Sequence, residues 1–168
     1  LWWPKNTGKP HQYHACLQLL HGQQLCDERR FSTGVRTVEL QRTEDCEGPE
    51  GGEFVFRVNG RKIFIMGTNW VPLDAFHSRD EERLPQALAL LEKTGCNMIR
   101  CWGGNVNGSE SLYAFCDAHG ILVWQDFAMA CGVYPLEEAF YAMLRPEVEQ
   151  IAKRLRNHPS LALWAGDN

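Results

Sequence analysis

No apolar run in this sequence approaches the ~18 residues a helix needs to span a bilayer, so no membrane partner is expected. A basic excess is missing as well: 17 Lys+Arg stand against 21 Asp+Glu, for a net charge of -4 and a pI near 5.9. A mixed, mildly acidic chain argues against a general nucleic-acid binder, which presents a basic face. The seven cysteines, at positions 16, 26, 46, 96, 101, 116 and 131, include no C-x-x-C pair, which speaks against a cysteine zinc site. Their odd number excludes a fully paired disulfide framework. Several sit inside apolar runs, and most read as small buried thiols. That pattern leans toward a reducing, cytoplasmic compartment and leaves periplasmic and lysosomal-type settings open. His11 and His14 share an H-x-x-H spacing, but on a strand they point to opposite faces. No metal and no other cofactor is expected. An initiator methionine and a basic-then-apolar leader are also lacking.

What is present is ordinary globular material, 44% hydrophobic and 23% charged over 168 residues. That is enough for one domain or for pieces of two. Two textures divide it. Along Tyr13-His14-Ala15-Cys16-Leu17-Gln18-Leu19 the odd positions are mostly apolar, which predicts a half-buried strand. A turn follows at His21-Gly22, and the β-branched run Val35–Leu40 predicts a second strand. Residues 44–52 are acidic, rich in Gly and Pro and without period, and read as a loop or linker. Two or three strands cannot make an independent sandwich of about seven. Residues 1–47 are therefore expected to be the end of a β-domain.

Beyond the linker, Phe54–Val58, Asn59-Gly60 and Lys62–Met66 read as a hairpin closed by a type I′ turn. Helices and strands then alternate. Leu84, Ala87, Leu88 and Leu91 are helically spaced over 81–94, with Gly95 as the stop. A helix over 109–119 carries Leu112, Phe115 and Cys116 on one face, ends at Gly120, and has an apparent capping box from Asn107 to Glu110. Pro146 suits the first turn of a third helix that turns Val148, Ile151, Ala152 and Leu155 inward. The strands 96–102, 121–124 and 161–164 are nearly continuous in apolar residues, as in a parallel sheet buried on both faces. With the hairpin's second arm as the first, four strands make up about half of an eight-stranded barrel. The chain is expected to be a piece of a longer protein.

The expected strands end in phase on polar and aromatic residues: Asn69-Trp70, Arg100 with Trp102-Gly103-Gly104, Gln125-Asp126, and Asp167-Asn168. In an α/β barrel that rim carries the chemistry, and indole faces with Asn, Asp and Arg suit a sugar. A plainer reading has Arg100 and Asp126 pair to hold the mouth open, Gly103-Gly104 permit a tight turn, and Trp124 and Trp164 fill the core. Glu137, Glu138, Glu147 and Glu149 read as solvated or early-helix acids, and Lys153, Arg154 and Arg156 as a helix face.

Leu1-Trp2-Trp3-Pro4, Gly67–Pro72, Arg100–Gly104, Gly120–Phe127 and Arg156–Leu161, taken in order, resemble glycoside hydrolase family 2, its β-mannosidase branch most of all. The resemblance implies the end of an immunoglobulin-like β-sandwich over 1–47 and the first half of a (β/α)8 TIM barrel over 48–168. It implies a retaining exo-glycosidase acting on terminal β-linked mannose, with a β-mannoside and the rest of the parent polypeptide as partners. The acid/base Glu is expected immediately after Asn168 and the nucleophilic Glu on a later strand, so no catalytic residue of the family is expected inside the chain. By the same resemblance Asn168 bonds the sugar 2-hydroxyl, Trp102 walls the terminal subsite, and Asp126 and Asn69 shape its floor directly or through Arg100. Asn105-Val106-Asn107-Gly108 and Asp167 depart from the family pattern. A related specificity (β-glucosaminide or β-galactoside) and a catalytically inactive carbohydrate-binding or structural module remain the alternatives.

Overall fold

The computed structural model describes residues 1–43 and 52–168. The linker expected at 44–52 lies outside the described residues but for residue 52, as do Cys46 and the expected boundary at 47/48. The expectation that most cysteines are buried is corrected: among the described residues only Cys101 and Cys116 are buried, Cys96 is partly so, and Cys16, Cys26 and Cys131 are exposed, two of these on the uncovered hairpin that opens the fold. The described residues form three sheets: β1-β2, β3-β4-β5 and β6-β7-β8-β9.

β1 (Tyr13–His21) and β2 (Gln24–Thr33) form an antiparallel hairpin, with Gly22 at φ 62° in its turn. β2 carries Asp27, Glu28, Arg29 and Arg30, so its strand character comes from pairing with β1 and not from an apolar pattern. The half-buried strand expected at 13–19 is corrected on burial: Leu17 is 66% and Leu19 64% exposed, because no second layer among the described residues covers the hairpin.

β3 (Val38–Arg42), β4 (Phe54–Val58) and β5 (Arg61–Ile63) form the second sheet. Asn59 at φ 50° and Gly60 at φ 78° are both left-handed, as a type I′ turn requires. The hairpin's second arm, however, does not run on to Asn69-Trp70. It stops at Ile63, and a separate strand β6 (Gly67–Trp70) opens the parallel sheet. The buried Asn97 makes the break. Its Nδ2 donates to the Phe64 carbonyl at 2.9 Å, and its Oδ1 accepts from the Met66 N–H at 2.9 Å. Its main-chain N–H donates to the Met66 carbonyl at 2.8 Å. The crossover at 64–66 is thus satisfied by a side chain instead of a ladder.

The parallel sheet is β6, β7 (Met98–Cys101), β8 (Leu122–Asp126) and β9 (Leu161–Ala165), in chain order. Helices α1 (Asp80–Lys93), α2 (Glu110–His119) and α3 (Glu138–Leu155) link them. Leu88 and Leu91 of α1, Leu112 and Cys116 of α2, and Ile151 and Leu155 of α3 pack with Ile99 and Val123 in one cluster. All three helices therefore cover the same face of the sheet. Each such burial stabilises by roughly 1.5–3 kcal/mol before entropy is counted. On the other face Met98 and Leu122 pack against Phe56, Val58, Ile63 and the fully buried Trp2. Apolar residues from β4, β5 and the first segment thus plug that face at the strands' N-terminal end.

Two helix starts differ from expectation. The cap of α2 is Ser109, not Asn107, and it makes no side-chain cap bond. α3 begins at Glu138, eight residues before Pro146, which lies inside it. Of the residues expected inward on α3, Ile151 and Leu155 are buried, while Val148 and Ala152 are partly so.

The run Arg156–Leu161 is pinned by Asp117, at the end of α2. Its carboxylate accepts from His158 Nδ1 at 2.7 Å and from the Ser160 N–H at 3.0 Å, and its carbonyl accepts from Trp2 Nε1 at 2.7 Å. Arg36 adds donation to the Pro159 and Leu161 carbonyls. Burial disfavours charged His158, but the bond and charge of Asp117, with Glu110 opposite, outweigh it and raise the pKa above the ordinary histidine value. Tyr113 lies against the ring, and Arg154 reaches the same Glu110. A raised folded pKa gives stability that is full below the unfolded value of about 6.5 and fades as pH rises through the folded one. His158→Gln should therefore cost most in acid, on the order of 1–3 kcal/mol, with the gap to wild type narrowing toward high pH in denaturant titrations. A gap that stays constant across that range would contradict the linkage.

Candidate functional site

Adjacent residues in a parallel ladder share a face, and so do residues two apart on a strand. Asn69 pairs with Arg100 and Arg100 with Trp124, and Asp126 lies two beyond Trp124. The face opposite the helices is therefore graded: apolar at its base with Met98 and Leu122, polar at the strands' C-terminal ends with Asn69, Arg100 and Asp126.

Arg100 is the hub. Its Nη2 donates to Asp126 Oδ2 at 2.6 Å and its Nε to Asp126 Oδ1 at 3.3 Å. The same Nη2 donates to Asn168 Oδ1 at 2.8 Å. The guanidinium carbon sits 5.8 Å from the Trp124 ring centroid. The Asp126 side chain is 0% exposed and that of Arg100 28%. The Gly103 N–H donates to Asp126 Oδ2 at 3.1 Å, and the Asn168 N–H donates to the Met129 carbonyl at 3.1 Å. Charge-assisted bonds of this kind are about twice as strong as neutral ones. They hold the ends of β7 and β8 and Asn168, three residues beyond β9, in one arrangement.

Of the five residues singled out from sequence, Arg100, Asp126 and Asn168 are thus in direct contact. Asn69 is exposed beside Arg100 and joins it in lining a cavity of about 720 Å³ with Phe54, Phe56, Phe64 and Trp124. Trp102 lies just past the end of β7 and is half-buried, its N–H donating to the Trp70 carbonyl at 3.2 Å. The pairing of Arg100 with Asp126, offered as a plainer reading, is present, and it also brings Asn168 in.

Gly103 and Gly104 are needed for space more than for a turn; neither has positive φ. A Cβ on Gly103 would lie 2.5 Å from the Met129 carbonyl oxygen, and one on Gly104 2.1 Å from Cη2 of Trp102. The Trp102 ring therefore lies directly over Gly104. Trp164 stacks on Phe127 at 5.2 Å, with 8° between the rings. Trp124 faces the cavity with Phe54 stacked at 6.4 Å, and its Nε1 is buried without a hydrogen-bond partner. Arg154, read as part of a plain helix face, donates to the Gly108 carbonyl at 3.0 Å. Among the described residues no three His, Cys, Asp or Glu converge where a metal ion could sit, and no helix is long and apolar enough to cross a membrane. Asn97 and Asp117, both central to the geometry, carried no sequence signal beyond being polar beside apolar runs.

No protein-family model matches the chain. Over its whole length it is similar to β-mannosidases. It is 36% identical over 168 residues to that of Mus musculus, covering 99% of this chain and 19% of the relative. It is 38% identical over 169 residues to β-mannosidase B of Thermothelomyces thermophilus, covering 100% and 20%. The crystal structure of a β-D-mannosidase from Dictyoglomus thermophilum superposes with a TM-score of 0.90 at 40% identity, covering all of this chain and 21% of that one. An exo-chitosanase of Amycolatopsis orientalis, at 24% identity and a TM-score of 0.80, shares the fold. The chain spans about a fifth of the length of the curated relatives it matches.

Because the Trp102 ring occupies the space a Gly104 side chain would need, Gly104→Ala should destabilise by about 1–3 kcal/mol. In a Trp102→Ala background the same change should cost almost nothing. Equal costs in both backgrounds, measured by thermal unfolding, would mean that the ring does not rest on Gly104.

Proposed function

We propose that this β-mannosidase-like chain is part of a retaining exo-glycosidase that removes terminal β-linked mannose from glycans or oligosaccharides. The observation that carries the reading is the gathering of Arg100, Asp126 and Asn168 at the C-terminal ends of parallel strands, in a chain 36–38% identical to β-mannosidases along its length. In finer detail the chain comprises the end of an immunoglobulin-like β-sandwich (1–47) and the first half of a (β/α)8 barrel (48–168). Support for the barrel comes from the unreversed strand order and from helices on one face only, whereas a doubly wound sheet carries helices on both. β3 lies before the proposed boundary and β4 after it, so their pairing ties the two parts together.

Retaining hydrolysis uses two carboxyl groups about 5–5.5 Å apart. One attacks the anomeric carbon; the other protonates the leaving oxygen and then activates water. In this reading the acid/base Glu follows Asn168 directly, and the nucleophile lies on a later strand. What this chain supplies is binding and orientation. Asn168 bonds the sugar 2-hydroxyl, a bond that strengthens as the ring flattens toward its oxocarbenium-like transition state and so lowers the barrier. Trp102 walls the terminal subsite with its ring, Asn69 contributes to the floor, and Asp126 acts through Arg100.

A polypeptide that continues this sequence with Glu after Asn168 should release the chromophore from an aryl β-mannoside with retention, followed by NMR of the first-formed anomer. On a panel with aryl β-glucosaminide and β-galactoside, mannoside should lead. Residues 1–168 alone should turn over none. Absence of turnover on every aryl β-glycoside would overturn the reading in favour of a binding or structural module.

A further inference from the structure

A glutamine is an unusual residue to find beneath an apolar helix layer. Gln125 lies on β8 between Trp124 and Asp126, which face the cavity, and two residues beyond Val123, which packs under the helices. Its side chain therefore turns to the helix face. In the ladder it stands between Cys101 and Trp164, and Leu112 and Cys116 of α2 belong to the cluster above it. Both Gln125 and Tyr113, which reaches it from α2, are buried. Leucine and phenylalanine would fill nearly the same space without the desolvation that a buried amide and phenol cost.

Both ends of the amide are used. Its Nε2 donates to the Asp126 main-chain carbonyl at 2.7 Å, and its Oε1 accepts from the Tyr113 hydroxyl at 2.6 Å. A carbonyl can only accept, so the NH2 faces Asp126 and the amide oxygen faces Tyr113. The phenol must then donate. Burial pushes its pKa well above the usual phenol value and keeps that proton in place. Tyr113 is itself fixed: its ring lies 5.3 Å from that of His158, which Asp117, one turn further along α2, holds. The bonds thus start on a helix and pass behind the sheet. They end on the main chain of the residue whose carboxylate holds Arg100 and the Gly103 N–H on the other face.

We infer that Gln125, oriented by Tyr113, is a positioning residue for the lip: from behind the sheet it fixes the Asp126 main chain, and with it the direction in which the Asp126 carboxylate holds Arg100 and Gly103. Gln125 meets no ligand from its side of the sheet, so its effect on turnover is indirect. For turnover this role rests on the proposed glycosidase reading; for the order of the lip it does not.

The full-length polypeptide, its Tyr113→Phe variant and a Tyr113→Phe/Gln125→Leu double variant are compared by hydrogen–deuterium exchange, thermal unfolding and hydrolysis of an aryl β-mannoside. Tyr113→Phe strands the Gln125 oxygen and frees the amide to turn. Exchange should rise about 3- to 10-fold at the Gly103 and Phe127 amides, which bond Asp126 Oδ2 and the Ala165 carbonyl. Tm should drop, and kcat should fall about tenfold with KM held. Removing both polar side chains lifts the penalty of the stranded amide. The double variant should therefore melt above Tyr113→Phe while its lip exchange stays fast and its kcat stays low. A purely structural pair predicts that exchange and kcat return to wild type along with stability, and that return would overturn the inference. Lip exchange in Tyr113→Phe no faster than in wild type would overturn it too. If the double variant does not regain stability, Tyr113→Phe alone decides: faster exchange confined to Gly103 and Phe127 supports the role, and an equal rise across α2 and the whole sheet sinks it. If wild type turns over no aryl β-glycoside, the glycosidase reading fails, and exchange alone decides between the same two outcomes.

Discussion

A buried carboxylate needs a partner, and Asp126 has one that cannot be discharged. The fork from Arg100 to Asp126 spans adjacent parallel strands at their C-terminal ends. Ion pairs taken out of water often add little net stability, because desolvation cancels much of the attraction. What the pair supplies here is placement. Arg100 cannot serve Asp126 and lie along Trp124 without presenting its remaining Nη2 proton where Asn168 waits. The end of β7, the end of β8 and Asn168 beyond β9 are held by one guanidinium, and Gly103 closes the set through the same carboxylate.

The opposite end of the sheet is ordered by a comparable device. Asp117 gathers His158, the Ser160 N–H and, through its carbonyl, Trp2. Asn97 fastens the crossover between β5 and β6. In each case a short polar side chain, itself nearly inaccessible, satisfies main-chain groups that no ladder reaches, which is the cheapest way to bury an irregular segment. The parallel strands are thus tied by polar clamps at both ends, with apolar packing between them.

Much of this was legible from residues alone. Asn59-Gly60 announces its turn because few other pairs tolerate two left-handed residues. Leu84, Leu88 and Leu91 announce α1 by period, and the polar strand ends come in phase because the strands are parallel and similar in length. The strand failures share a cause, namely partners distant in sequence. β2 is a strand because β1 lies beside it. β5 and β6 are separate because Asn97, some thirty residues later, captures the backbone between them. Pro146 looked like a helix start because local preference favours it there, but α3 extends through it. That Arg100, Asp126 and Asn168 share a rim, and that Arg100 and Asp126 can pair there, could be read from sequence; that the same guanidinium also reaches Asn168 could not, since the contact depends on strand order and register.

The central claim is that Arg100 and Asp126 act as one unit, and a double-mutant cycle measures this most directly. Arg100→Gln, Asp126→Asn and the double variant would be compared by denaturant unfolding of the full-length polypeptide. The account predicts a loss of about 3–5 kcal/mol for Arg100→Gln, which strands the buried Asp126 carboxylate, a smaller loss for Asp126→Asn, since the Arg100 side chain keeps partial access to water, and a double variant little worse than Arg100→Gln alone. Additive losses, with a coupling energy near zero, would mean that the two side chains are merely neighbours and that the lip is organised by something else.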